Sequence, residues 1–254
     1  MTIPFGLQDY SVREALAGDY EGTMAKVAEM GYRYMQLTNL GGRTPAEARR
    51  LLDGLGLSAL ATHAALPRLE NELPDVIETA KELGYDRVCC PFLGEEFRSA
   101  EGYAKARDLL IEIDQKLAEH GMLLAYHNHS FEFAALEGGR RGFDILFDAV
   151  DPPLKSELDV YWVQHGGDDP VAWMNKLAGR VPILHLKDME AGPDRNFAEV
   201  GTGVVDIAGI VRAAPAAGVE VMFIEQDGNW INGSDVESAK VSLENLTKIV
   251  EQEM

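Results

Sequence analysis

The chain has 254 residues, 46% hydrophobic and 26% charged, a balance that excludes a disordered or fibrous protein and suits one large domain or two small ones. Forty-two acidic against 23 basic side chains give a formal net charge of −19, a field that repels a phosphate backbone and argues against nucleic acid as a partner. No run reaches the roughly 18–20 apolar residues of a membrane span.

In chain order, a strand is expected in IPFGLQ (3–8) and a helix over 12–30. At EMGYRYMQL a glycine closes that helix and an apolar strand follows at once. The same junction recurs at GLGLSALATH after a helix over 44–55, and at ELGYDRVCCPF after 68–83. It recurs again at EHGMLLAYH after 99–120, and at AAGVEVMFIEQ after 206–217. Glycine tolerates the left-handed conformation that ends a helix. Short apolar runs after it read as strands buried on both faces. LKSELDVYW and VPILHLKD supply two further strands, 141–150 and 170–179 two further helices, and 238–252 the last. Thr44-Pro45-Ala46-Glu47 has the form of a capping box with proline at the first helical position, and Asp169-Pro170 is a simpler start signal. Tyr103, Ala106, Leu110, Ile113 and Leu117 recur on one helical face. Cys89 and Cys90, adjacent in an apolar run, read as buried thiols in a reducing compartment.

Eight alternating β and α units with no linker predict a single (β/α)8 TIM barrel over 1–254, of class α/β. A doubly wound open sheet is disfavoured because no G-x-G-x-x-G fingerprint follows the first strand. The opening MTIPFGLQDY has no basic segment ahead of an apolar one, so a cytoplasmic location without a membrane partner is expected. Oligomeric state is left open, a homo-oligomer included.

In such a barrel, function is expected at the C-terminal ends of the strands. The third strand ends in His63. The fifth runs into YHNHSFEF, with His127, His129 and Glu132, and the sixth carries Glu157, Asp159 and Trp162. The seventh offers His185, Lys187 and Asp188, and the eighth Glu225 and Asp227. So many charges buried at one rim are costly unless neutralised, and a divalent cation is the simplest means. One interior residue per strand gives Asp159, His185 and Glu225, with Glu132 reaching in from the strand-five loop. That mostly oxygen set favours Mn²⁺, with Mg²⁺, Co²⁺ or Zn²⁺ as alternatives. Singly, each residue has an ordinary reading: His185 as a bonded core histidine, Asp159 as a cap, Trp162 as core. Their convergence on one rim carries the metal reading.

YHNHSFEF, ELDVYWVQHGGDDPVAWMNKLAGRVPILHLKD, NFAEVGTGVVD and FIEQD resemble the sugar phosphate isomerase/epimerase family, the xylose isomerase-like TIM barrels. The resemblance spans almost the whole chain. It implies one divalent metal held by carboxylates and a histidine from the last four strands, which carries over to Asp159, His185 and Glu225. Trp162 and Gln36 depart from the ketose 3-epimerases, which resemble this chain but place histidine and, often, glutamate at these positions.

The expected chemistry is proton abstraction beside the carbonyl of a small sugar or sugar derivative, through an enediolate that the metal stabilises. Glu225 and Glu132 are expected to move the proton, with Lys187 at the oxyanion. His127, His129, His63, Trp162 and Asp227 are expected to contact the sugar. The outcome can be isomerisation, epimerisation or β-elimination from a keto-sugar, 3-keto-glycoside or inosose. Two rivals are a metal-dependent nuclease of the endonuclease IV type, opposed by the acidic charge, and a non-catalytic sugar-binding barrel.

Overall fold

The computed structural model describes residues 3–148 and 150–253. Eight parallel strands close into a barrel: β1 Phe5–Gln8, β2 Tyr34–Leu37, β3 Ser58–His63, β4 Arg87–Cys90, β5 Leu123–His127, β6 Lys155–Asp159, β7 Ile183–Leu186 and β8 Val221–Ile224. Each pairs with its neighbours in sequence, and β1 closes on β8. The expected TIM barrel is what the chain forms, with helices between successive strands. Among the described residues no helix is long and apolar enough to cross a membrane.

The helix-ending glycines do what their sequence position implies. Gly31, Gly56, Gly84, Gly121 and Gly218 have φ of 113°, 68°, 79°, 72° and 81°. Thr44 and Glu47 form the reciprocal capping box ahead of Pro45–Leu55.

Two apolar layers hold the barrel. Outside, strand residues such as Leu124, Leu158, Leu184 and Met222 pack under the helices. Inside, Ala61, Cys89, Ala125, Ile183, Val221 and Phe223 fill the lumen. Two residues further along their strands lie His63, His127, His185 and Glu225, on the same inward face because side chains alternate with period two. A filled apolar layer thus lies beneath the polar rim. Cys89 and Cys90 are free and buried, as read.

Several boundaries differ from expectation. The helix read over 12–30 is broken at Asp19, whose extended backbone and side-chain bond to Gly22 N start a new helix, Tyr20–Met30. That over 68–83 is broken at Glu72 into Leu66–Asn71 and Leu73–Leu83. The segment 141–150 is helical over Gly142–Leu146, and its residue 149 lies outside the described residues, as do the chain's ends. LKSELDVYW is not strand throughout: β6 stops at Asp159, which caps the helix Val160–His165. The last helix starts earlier than read, at Asp235.

Candidate active site

His127, Asp159, His185 and Glu225 end or just follow β5 to β8, none of them more than 5% exposed. Register places Asp159 opposite His185, and His185 opposite Phe223, two residues before Glu225. One ligand-type atom from each of the four lies within 4.8 Å of the others. His185 Nδ1 is 2.5 Å from Glu225 Oε2, and His127 Nε2 is 3.9 Å from Asp159 Oδ2. Asp159 divides its work. Its Oδ1 accepts from Trp162 N at 2.9 Å as the helix cap, and its Oδ2 is buried with no hydrogen bond. Asn128 fixes this corner by donating to Asp159 O at 3.2 Å and accepting from Asp159 N at 3.0 Å. Its amide between two histidines was not read as functional, because its target is an adjacent strand.

A second cluster lies one layer deeper, on β6. Glu157 is fully buried and sits level with His127. Its Oε2 is 2.6 Å from His63 Nε2, and its Oε1 accepts from Gln36 Nε2 at 2.5 Å. His185 Nε2 is 3.2 Å from Oε1. His127 Nδ1 is 3.2 Å from Oε2 but misaligned, so it makes no hydrogen bond. Sequence alternation put Glu157 on the inward face but gave no reason to prefer its depth.

Lys187 occupies the centre of the acidic rim. Its Nζ lies 2.8 Å from Asp227, 3.0 Å from Glu225 and 3.2 Å from Asp159. Burial opposes its charge, but those three carboxylates outweigh burial and hold its pKa well above the ordinary lysine value. The same balance raises His185 to about 10, burial losing to Glu157 and Glu225. Burial also opposes charge on Glu225, yet Lys187 and His185 hold its pKa well below the usual range. Burial pushes Asp159 up to about 6, and pushes His127 down to about 3 and His129 down to about 2.

The structure corrects the expected strand-five ligand. Glu132 is fully buried but belongs to neither cluster. After His127 the chain turns into the short helix Ser130–Phe133, and there Glu132 accepts from Tyr126 Oη and from His129 N at 2.8 Å. Its oxygens are spent on holding the loop, so it neither joins the ligand group nor faces Glu225 as a second proton carrier. On strand five it is His127 that lies within reach of the other three. That group counts two imidazoles and two carboxylates, a mix that gives Mn²⁺ no precedence over Zn²⁺.

The remaining residues fall as follows. A cavity of 460 Å³ is lined by His63, His127, His129, Lys187, Glu225 and Asp227 on its polar side and by Tyr10, Thr38, Ala65, Pro91 and Phe92 otherwise. His129 stacks on Phe131 at 5.4 Å between ring centroids. Trp162 does not line the cavity; it stands behind His129, 5.5 Å between ring centroids. The EVGTGVVD segment is pinned by Asp188, whose carboxylate accepts from Gly201, Gly203 and Val205 N at 2.9–3.0 Å. A Cβ on Gly203 would lie 2.2 Å from Met189 O, so glycine is required there for close approach.

The residues fit a divalent cation. Asp159 Oδ2 is a buried acceptor that makes no hydrogen bond, with Lys187 Nζ at 3.2 Å and His127 Nε2 at 3.9 Å, and His185 Nδ1 faces a carboxylate oxygen. Four carboxylates (Glu157, Asp159, Glu225, Asp227) have Lys187 as the buried ammonium among them; with His185 neutral, as a ligand must be, they leave an excess of negative charge that a divalent cation would offset.

A model of the xylose isomerase-like TIM barrel matches residues 24–249. Curated proteins give no match. Among solved structures, a sugar phosphate isomerase/epimerase from Parabacteroides distasonis superposes with a TM-score of 0.83 at 21% identity, covering 97% of this chain and 96% of that one. The IOLI protein with a bound zinc atom gives 0.75 at 17%, covering 100% and 99%. The probable 3-DHS dehydratase AsbF from Bacillus anthracis, of petrobactin synthesis, gives 0.73 at 16%, covering 96% and 99%. At these identities the structures speak to fold, whereas the family model spans most of the chain. This protein belongs to the xylose isomerase-like TIM barrel family.

Proposed function

We propose that the protein is a divalent-metal-dependent sugar isomerase or epimerase that removes a proton beside a carbonyl and passes through an enediolate. The observation that carries this reading is the convergence of His127, Asp159, His185 and Glu225 beside a sugar-sized cavity that His127 and Glu225 line, with Asp159 Oδ2 buried and making no hydrogen bond. Those four residues would hold the ion. When bound, it supplies Lewis-acid polarisation of a substrate carbonyl. Glu225 lines the cavity and serves as the base that takes the α-carbon proton. Lys187, held charged by Asp227, meets negative charge that develops on the substrate oxygen. His63 and His129, which also line the cavity, present imidazole edges to sugar hydroxyls. The zinc-bound relative and the isomerase/epimerase relative support the reading by analogy.

One observation favours a second outcome. Both carboxylates lining the cavity, Glu225 and Asp227, lie at the end of β8, and the wall carrying Ala65, Pro91 and Phe92 offers none. A two-base epimerase needs proton carriers on both faces of the sugar, whereas β-elimination can proceed from one. A keto-sugar, 3-keto-glycoside or inosose dehydratase is therefore the alternative, and the dehydratase relative agrees with it.

The test is incubation in D₂O with Zn²⁺ or Mn²⁺ and a panel of keto-sugars and keto-glycosides. Deuterium incorporation with retained mass supports isomerisation or epimerisation, and loss of water or an aglycone supports elimination. No exchange across the panel with the ion bound would leave a sugar-binding barrel.

A further inference from the structure

Beneath the proposed ligand group, Gln36 and Glu157 form a hydrogen-bonded floor. Glu157 occupies an inward position on β6, level with His127 on β5 and with Ile183 of the apolar lumen layer on β7. A buried carboxylate there is costly unless its oxygens are bonded, and both are, by Gln36 Nε2 at 2.5 Å and His63 Nε2 at 2.6 Å.

The direction of each bond follows from donor chemistry. An ionised carboxylate only accepts, so the Gln36 group facing Glu157 is its NH₂. The Gln36 carbonyl then faces the other way, taking Gln8 Nε2 at 2.9 Å and His185 Nε2 at 2.5 Å. An amide oxygen also only accepts, so His185 Nε2 carries a proton. Its other nitrogen, Nδ1, is left 2.5 Å from Glu225 Oε2.

We infer that Gln36 and Glu157 are positioning residues: they lock the His185 ring with Nε2–H turned to Gln36 and Nδ1 turned to the ion-binding carboxylates. The role in metal binding rests on the proposed function, while the ring orientation does not. His63, His127, Glu157 and His185 are themselves close enough to hold an ion. The bonds from His63 and Gln36 already satisfy the Glu157 carboxylate, however, and an ion there would have to displace them. The chain is therefore built for one ion, on the Asp159–Glu225 side. A carboxylate at position 36 would lose the amide donor and face Glu157 directly, so glutamine is chemically required for this arrangement.

The experiment uses the full chain and two substitutions, Gln36→Met, which keeps side-chain length but neither donor nor acceptor, and Glu157→Gln. Long-range ¹H–¹⁵N correlation of His185 reads the ring in EDTA and in Zn²⁺, and chelator competition reads Zn²⁺ affinity and stoichiometry. In the wild type a hydrogen-bonded Nε2–H signal is expected with and without Zn²⁺, and one Zn²⁺ per chain. Each substitution is expected to shift or abolish that signal and weaken Zn²⁺ binding about 10–100-fold. Variants with the wild-type signal and affinity would overturn the inference, as would a wild-type ring with its proton on Nδ1 alone. Two ions per chain, one of them lost in His63→Ala, would also overturn it. A wild type with the Nε2–H signal but no Zn²⁺ binding would sink the metal reading and leave the ring orientation standing.

Discussion

Glu132→Gln is a demanding perturbation because the structure gives Glu132 a loop-holding role at a charge cost. Burial raises its pKa from 4.5 to about 7, even though Tyr126 and His129 N both donate to it. The native state therefore holds this proton more tightly than the unfolded chain. Stability from this group is greatest when it is protonated and is lost as pH rises from the unfolded value, 4.5, through about 7. A displacement of that size corresponds to ~3 kcal/mol at pH 8. Glutamine keeps both bonds, since its oxygen can accept from His129 N and its NH₂ can donate to the Tyr126 hydroxyl, which both donates and accepts. Urea unfolding of wild type and variant at pH 5 and pH 8 makes the comparison. The variant should be more stable by ~3 kcal/mol at pH 8 and nearly equal at pH 5. A pH-independent difference, or a variant weaker at pH 8, would refute the reasoning. Bound metal should be unchanged, and its loss would restore Glu132 as a ligand.

Three further outcomes follow from the same geometry. Lys187→Met leaves Asp159, Glu225 and Asp227 without their buried cation, so in EDTA it should cost roughly 3–5 kcal/mol, and added Zn²⁺ should restore more stability to it than to wild type in thermal melts; an unaltered EDTA melting point would show that Lys187 does not neutralise them. Phe223→Ala empties the lumen beneath His185, whose ring is 6.2 Å away, and should cost about 3–5 kcal/mol in denaturant unfolding. A cost below ~1 kcal/mol would mean the layer collapses without it. Thr44→Ala removes one side of the capping box and should cost about 1 kcal/mol by the same assay, with no change in metal content.

The barrel was legible because its junctions repeat: a helix-ending glycine followed by an apolar run is local chemistry, readable five times over. Asp159, His185 and Glu225 were legible because strand alternation selects one inward residue per strand at the rim. Glu132 was not, since the turn after His127 depends on bonds to Tyr126 and His129 rather than on periodicity. VYWVQH looks like strand by its β-branched and aromatic content, but the cap from Asp159 to Trp162 N makes it helix and moves Trp162 behind His129. Gln36 and Glu157 lie on different strands, 121 residues apart, and their contact exists only once the barrel closes.

The most direct measurement is a crystal structure of the Co²⁺-loaded protein with anomalous data collected at the cobalt edge. The account predicts a single peak about 2.0–2.2 Å from donor atoms of His127, Asp159, His185 and Glu225. A peak centred on His63 and Glu157, or no peak at all, would contradict it.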